Sequence, residues 1–161
     1  MDHDYDCECC SNGRDAVLVS LERMIREHGI AIVATRTITA DGALDMSYTV
    51  GLADAGLPEI IAFALPQHTA AIALNNAARR LKAGTLPLDV PLAEIGNLPT
   101  VFKAVPAAIA ANYIFVANDR AGKELEAIQL VWPDPEGKFP WDSGFDQRFT
   151  ACQPSLYQIT H

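Results

Sequence analysis

The chain has 161 residues, half of them hydrophobic, and twenty acidic residues against twelve basic ones give a formal charge of −8. This length predicts one domain, and the hydrophobic content excludes a disordered chain. The acidic balance argues against nucleic acid or an anionic membrane surface as a partner. Because the sequence shows neither an apolar run of ~18 residues nor a secretion signal, we expect a soluble, cytoplasmic bacterial protein.

The first predicted element is a helix that Asp15 caps and that ends at His28. Its apolar face is formed by residues at helical spacing, namely Val17, Leu18, Leu21, Met24 and Ile25. Gly29 follows as the left-handed residue that commonly terminates a helix.

Two β-branched runs come next, over Ile30–Thr37 and Leu44–Leu52, and the Asp41-Gly42 pair between them predicts a hairpin turn. The short apolar run Glu59–Leu65 predicts a central strand. Pro66 then suits the first turn of a helix that runs to Lys82, since proline lacks an N–H that would have no partner there.

The second half of the chain predicts strands over Thr100–Val105 and Ala127–Trp132, with an alanine-rich helix over Pro106–Ala121 between them. The last twenty residues predict mostly irregular structure. This order of elements predicts an α+β domain, with a mixed or mostly antiparallel sheet and about three packed helices. Residues 1–15 form an acidic, cysteine-bearing tail, and residues 16–161 form the single domain.

Several motifs occur in order along the chain. They are His28-Gly29, Tyr48-Thr49-Val50-Gly51-Leu52, Leu57-Pro58-Glu59-Ile60-Ile61, Leu74-Asn75, Gln129-Leu130-Val131-Trp132-Pro133-Asp134, Gly137-Lys138-Phe139-Pro140-Trp141-Asp142 and Gln153-Pro154. With the cysteine-bearing N-terminus, they resemble the bacterial family called domain of unknown function 4262. The resemblance covers nearly the whole chain and implies a single domain, but it implies no activity.

Three of the four cysteines crowd into the tail, as Cys7, Cys9 and Cys10. Thiolates at this spacing are candidate zinc ligands, with His3 or Cys152 available to complete a set of four. The alternatives are a redox or disulfide role for Cys152 with the tail, and thiols without a role.

Two residues are candidates for catalysis. His68 lies in the first turn of the second helix, directly after a strand, where the helix N-terminus favours a neutral imidazole that can act as a base. Asp142 closes an aromatic and acidic segment and is a candidate acceptor or base beside it. If the sheet brings this segment over the carboxyl end of strand 59–65, both residues share one cleft with Trp141.

The segment Trp132–Asp142 contains the residues of a candidate ligand pocket, because aromatic walls with a few fixed polar groups are typical of small-molecule sites. The candidate ligand-binding residues are Trp132, Trp141, Asp134 and Gln129. The structural alternative is that the tryptophans cover the sheet and that Pro133–Gly137 is a turn.

Three functions fit these observations. The first is binding of a small molecule, with or without catalysis, in a pocket near the start of helix 66–82 and the 132–142 loop. The second is an immunity-type interaction protein whose acidic tail and loop bind a basic protein. The third is a flavin-binding protein on a split β-barrel, since the order of hairpin, strand and helix also suits that fold.

Overall fold

The computed structural model describes residues 8–93, 95 and 99–157, and of residues 8–15 it describes the backbone alone. The helices are α1 (Glu8–His28), α2 (Gln67–Lys82), α3 (Ala107–Ala110) and α4 (Phe115–Ala121). The strands are β1 (Ala31–Thr39), β2 (Gly42–Val50), β3 (Glu59–Phe63), β4 (Val101–Val105) and β5 (Ala127–Val131). In the described part of the chain, every helix is too short or too polar to span a bilayer.

The five strands form one mixed sheet in the order β1-β2-β3-β5-β4, which confirms the predicted α+β class. Only the β3–β5 pair is parallel among the described strands. The sheet is open, with β1 and β4 at its edges. The split barrel on which the flavin alternative depended is therefore absent from the described residues.

Each face of the sheet is covered by different elements. On one face, called here the α2 face, buried alanines and Leu74 of α2 pack on Ile60, Phe102 and Leu130. The opposite face carries Tyr48, Phe63 and Val105 under α4. The chain after β5, residues 132–157, is called here the late loop, and it also covers that opposite face, where Phe139 and Tyr157 pack on Val101 and Val131.

The hairpin matches its prediction, with a continuous register from Ala31 opposite Val50 to Thr39 opposite Gly42. Two predicted elements differ. The first helix does not begin at Asp15 but about two turns earlier, at Glu8. The helix predicted over 106–121 is divided into α3 and α4, because Ile114 leaves the helical region (φ −95°, ψ 56°) and is fully buried.

The C-terminal half of α1 is fixed to the sheet by close packing and by one arginine. Gly51, at the end of β2, has φ 117°, and a Cβ there would lie 3.3 Å from Ile25 of α1. Arg120 of α4 donates to Glu22 of α1 at 2.6 Å and to Asp54 at 2.9 Å. Hydrogen bonds from Arg120 lower the pKa of both carboxyls, so Glu22 and Asp54 are ionised at neutral pH and both ion pairs with Arg120 persist.

Candidate functional site

A lysine on an edge strand is the centre of the strongest candidate site. Lys103 lies in the middle of β4, and its side chain is 24% exposed. Its Nζ is 2.9 Å from Oδ1 of Asp89 and 4.5 Å from the ring centre of Trp141. The ring of Tyr157 lies 5.8 Å from the same Nζ. A cation over aromatic faces is attracted by the ring quadrupoles, so these neighbours hold the ammonium in one place.

Asp89 adopts an unusual backbone conformation to reach Lys103. Its φ is 66°, a left-handed value that few residues other than glycine, asparagine and aspartate adopt. Its N–H donates to the carbonyl of Phe102 at 2.9 Å, which anchors the loop on the open edge of β4. This backbone hydrogen bond and the ion pair together hold the Asp89 carboxylate beside the half-buried lysine.

Trp141 is positioned by the turn in which it lies. Its ring stacks on Phe139, with centres 5.1 Å apart and planes 3° apart, and meets Tyr157 edge-on. Oδ2 of Asp142 accepts the Phe139 N–H at 2.9 Å and closes this turn. Asp142 is exposed, and its observed contact gives it a role in shaping the loop that presents Trp141.

Asp134 organises the rest of the late loop. It is buried, and its carboxylate accepts the N–H groups of Glu136, Lys138 and Asp146 at 2.8–2.9 Å. Burial raises the pKa of Asp134, but the three hydrogen bonds outweigh that effect and lower it. These contacts give Asp134 a structural function in the described fold.

Two buried glutamines attach the C-terminal segment to β5. The Gln129 amide donates to the carbonyl of Pro154 at 2.7 Å and accepts the Leu156 N–H at 3.0 Å. Gln153 makes the same kind of paired contact with the backbone of Trp132, at 2.9 and 3.0 Å. Both polar atoms of the Gln129 side chain, a candidate ligand residue, thus hydrogen-bond to the backbone. These bonds fix the segment that carries Tyr157.

A surface cleft of about 490 Å³ opens beside Lys103, and it is called here the Lys103 cleft. It lies toward the amino ends of β3 and β5. Its polar lining comprises Lys103, Asp89, Glu126 and Tyr157, and its apolar walls include Leu88, Val105 and Ile128. The arrangement offers one fixed ammonium, two carboxylates and one phenol above an apolar floor, which is suited to binding a small polar-headed molecule.

The other predicted site residues lie on the far side of the sheet. His68 is exposed in the first turn of α2, beyond the carboxyl end of β3. Trp132 packs on the α2 face, where its Nε1 donates to the carbonyl of Phe63 at 2.9 Å. A second cleft, of about 340 Å³, opens there beside Gln67 and Arg36. Neither His68 nor Trp132 lines the Lys103 cleft.

Glu59 is a buried carboxyl that the sequence analysis did not single out. It is fully buried at the start of β3, and burial raises its pKa to about 7. Its carboxylate accepts the Ala53 N–H and the Thr49 hydroxyl, both at 3.0 Å. It therefore caps the 3₁₀ turn Leu52–Ala55 from inside the protein and lines none of the clefts described above.

Sequence reasoning also missed the centre of the Lys103 cleft. A single lysine inside the apolar strand segment Thr100–Val105 was a signal that could have been used, because an unpaired charge there needs a partner. No local pattern points to Asp89, which lies in a proline-rich loop and reaches Lys103 only in the folded chain.

The cysteine cluster falls largely outside what the structure describes. Cys7 and His3 are not among the described residues, and Cys9 and Cys10 lie in α1 without described side chains. Cys152 is a half-buried free thiol. Among the described residues no group of three or more metal-ligating side chains occurs. The zinc and disulfide expectations stay predictions.

Comparison with known proteins identifies a family. A family model described as Domain of unknown function (DUF4262) matches residues 24–146, which is more than half of the chain. No curated protein and no solved structure matches the chain.

Proposed function

Because this chain belongs to the family described as domain of unknown function 4262, whose description states no activity, we propose a function from its own geometry. The chain binds a small apolar molecule that carries a carboxylate, and it does so in the Lys103 cleft. Lys103 holds the carboxylate, and the apolar part of the molecule lies on the walls formed by Leu88, Val105 and Ile128.

The ammonium of Lys103 is the observation that supports this proposal. An ammonium has three N–H donors, and in the described part of the chain Asp89 is the one acceptor paired with it. Trp141 and Tyr157 exclude water from one side of it. A hydrogen bond from a partly desolvated ammonium to a carboxylate is stronger than one in open water, so a ligand gains affinity here.

The ion pair between Asp89 and Lys103 shows how a ligand carboxylate can bind to the ammonium. It places a carboxylate oxygen 2.9 Å from Nζ, at the wall of the cleft, and the Asp89 side chain is 64% exposed. Because the Asp89 carboxylate is exposed, water solvates it when a ligand carboxylate shares or displaces it, which keeps the cost of displacement low.

The acidic late loop gives less support to a basic protein partner. Three of its four carboxylates already have partners within the chain. Asp134 and Asp142 accept backbone N–H groups, and Asp146 pairs with Arg148 at 2.6 Å. These contacts stabilise the loop, so fewer carboxylates remain to bind a basic partner.

The first test is a fragment titration of the full chain followed by amide NMR. Benzoate and hexanoate are the probes, and benzamide and hexanamide of the same shape serve as uncharged controls. We expect the carboxylates to shift the amide signals of Lys103, Ala104 and Tyr157, and the amides to bind more weakly.

Variants of two lysines make the test specific. Lys103→Met should weaken carboxylate binding about tenfold or more, since a charged hydrogen bond contributes about 1.5–3 kcal/mol. Lys123→Met removes the same charge from an exposed position outside the cleft and should leave affinity unchanged. Equal affinity of the Lys103→Met protein, or shifts confined to other surfaces, would refute the proposal.

A further inference from the structure

The outer edge of β1 is an unprotected strand edge. β1 is nine residues long and pairs on one side only, with β2, among the described residues. Its register with β2 contains no bulge. In natural proteins, proline, lysine, a bulge or a covering element usually protects an edge strand, because a free edge can pair with another chain. The sequence of β1, AIVATRTIT, has neither proline nor lysine.

The one charged residue of β1 does not prevent the strand from pairing with another strand. Arg36 is already neutralised by Asp45 on β2, with Nε 2.9 Å from Oδ1. The other residues of β1 are alanine, valine, isoleucine and threonine, which are compatible with a strand interior or favour it. The edge thus has the composition of a strand that is paired on both sides.

We propose that β1 pairs antiparallel with β1 of a second copy of this chain, about a two-fold axis at Thr35, to form a ten-stranded sheet. A strand edge is self-complementary under a two-fold axis, so one surface serves both copies. This inference does not depend on the Lys103 cleft, which lies beside β4 at the other edge of the sheet.

The position of the axis follows from the side chains. With Thr35 on the axis, Ile32 lies opposite Ile38 of the partner subunit, and Arg36 lies opposite the partner's Ala34. A one-residue shift of the axis to Arg36 would place two arginines directly opposite each other, which is unfavourable. Centring on Thr35 also creates a threonine–threonine pair, which is favourable in antiparallel sheets.

An exposed isoleucine and a groove provide a second, independent observation. Ile38 is 81% exposed, the highest value among the large hydrophobic residues described. Ile32 lines a groove of about 510 Å³ between α1 and α2, together with Met24 and Ile30 and with the polar residues His28, Asn75 and Arg79. In the proposed register the partner's Ile38 lies opposite Ile32 at this groove, and the contact would cover the apolar side chains of both isoleucines.

The mass of the full chain in solution, measured by sedimentation velocity over a concentration series, is the first test. We expect a species of twice 17.4 kDa. Ile38→Lys should raise the dimer dissociation constant about tenfold or more, because it places an ammonium in a groove that the Arg79 guanidinium already lines. Ala43→Lys adds the same charge on the same face, one strand away from the edge, and should leave the dimer intact.

Cysteine cross-linking tests the register. In a background with the four native cysteines replaced by serine, Thr35→Cys should form an intermolecular disulfide, because paired Cα atoms across a two-fold axis lie about 4.5–5.5 Å apart. Thr37→Cys places the two thiols about four residues apart along the strand and should not. A monomer at every concentration, or equal cross-linking of the two variants, would overturn the proposal.

Discussion

At the scale of single residues, Glu59 makes the stability of the fold depend on pH. Its carboxyl is fully buried, and burial raises its pKa from 4.5 to about 7. In the unfolded chain the carboxyl ionises near 4.5, whereas in the folded chain it keeps its proton to higher pH. The stability that Glu59 contributes is therefore fully present below pH 4.5 and is lost as the pH rises to about 7.

Glu59→Gln should remove this dependence, because the amide keeps the size of the side chain and an acceptor for the Ala53 N–H. Relative to this variant, the unchanged protein should lose stability on the order of 3 kcal/mol between pH 4.5 and 7. Urea unfolding at intervals of half a pH unit measures the difference. Parallel stability curves for the two proteins would show that the carboxyl does not titrate in this window.

At the scale of elements, the C-terminal segment is held by side chains instead of a strand ladder. Gln129→Leu should destabilise the fold by about 2–3 kcal/mol, since it leaves the Pro154 carbonyl and the Leu156 N–H without their partner. Gln147→Leu is the control, because Gln147 is exposed. Thermal unfolding of both variants measures the effect, and equal melting temperatures would contradict the structural role of Gln129.

The elements that were predictable from sequence are those that local signals define. The Asp41-Gly42 turn between β-branched runs, Pro66 before α2 and Gly29 after α1 each mark a boundary that the structure keeps. Contacts made at long range had no such signal. The division of 106–121 depends on burying Ile114, and on the hydroxyl of Tyr48, which accepts the Val116 N–H at 3.1 Å.

The candidate site was predictable only in part, because it too is formed by contacts between residues far apart in the sequence. Aromatic composition drew attention to Trp141, which does lie beside the Lys103 cleft through its contact with Lys103. Spacing along the chain does not reveal the face of the sheet on which a residue lies. Trp132 and Trp141 are nine positions apart, yet β5 directs Trp132 to the α2 face and the loop returns Trp141 to the opposite face.

At the scale of the whole molecule, the sheet separates two clefts that the sequence analysis had joined. The Lys103 cleft lies toward the amino ends of β3 and β5, and the cleft beside Gln67 lies past the carboxyl end of β3. A five-residue strand spans about 13 Å at roughly 3.3 Å per residue. One small ligand therefore cannot contact Lys103 and the first turn of α2 together.

This separation predicts that two aromatic side chains of the original candidate site behave differently. His68→Ala should leave binding of benzoate to the Lys103 cleft within about twofold, because His68 is exposed and lines no part of that cleft. Trp141→Ala should weaken it about fivefold, because the ammonium of Lys103 loses the ring 4.5 Å away that shields and positions it. The two variants are compared by the same amide NMR titration, with thermal unfolding to verify that both are folded. If His68→Ala abolishes binding while Trp141→Ala does not, the ligand occupies the cleft at the start of α2 and the assignment to Lys103 is wrong.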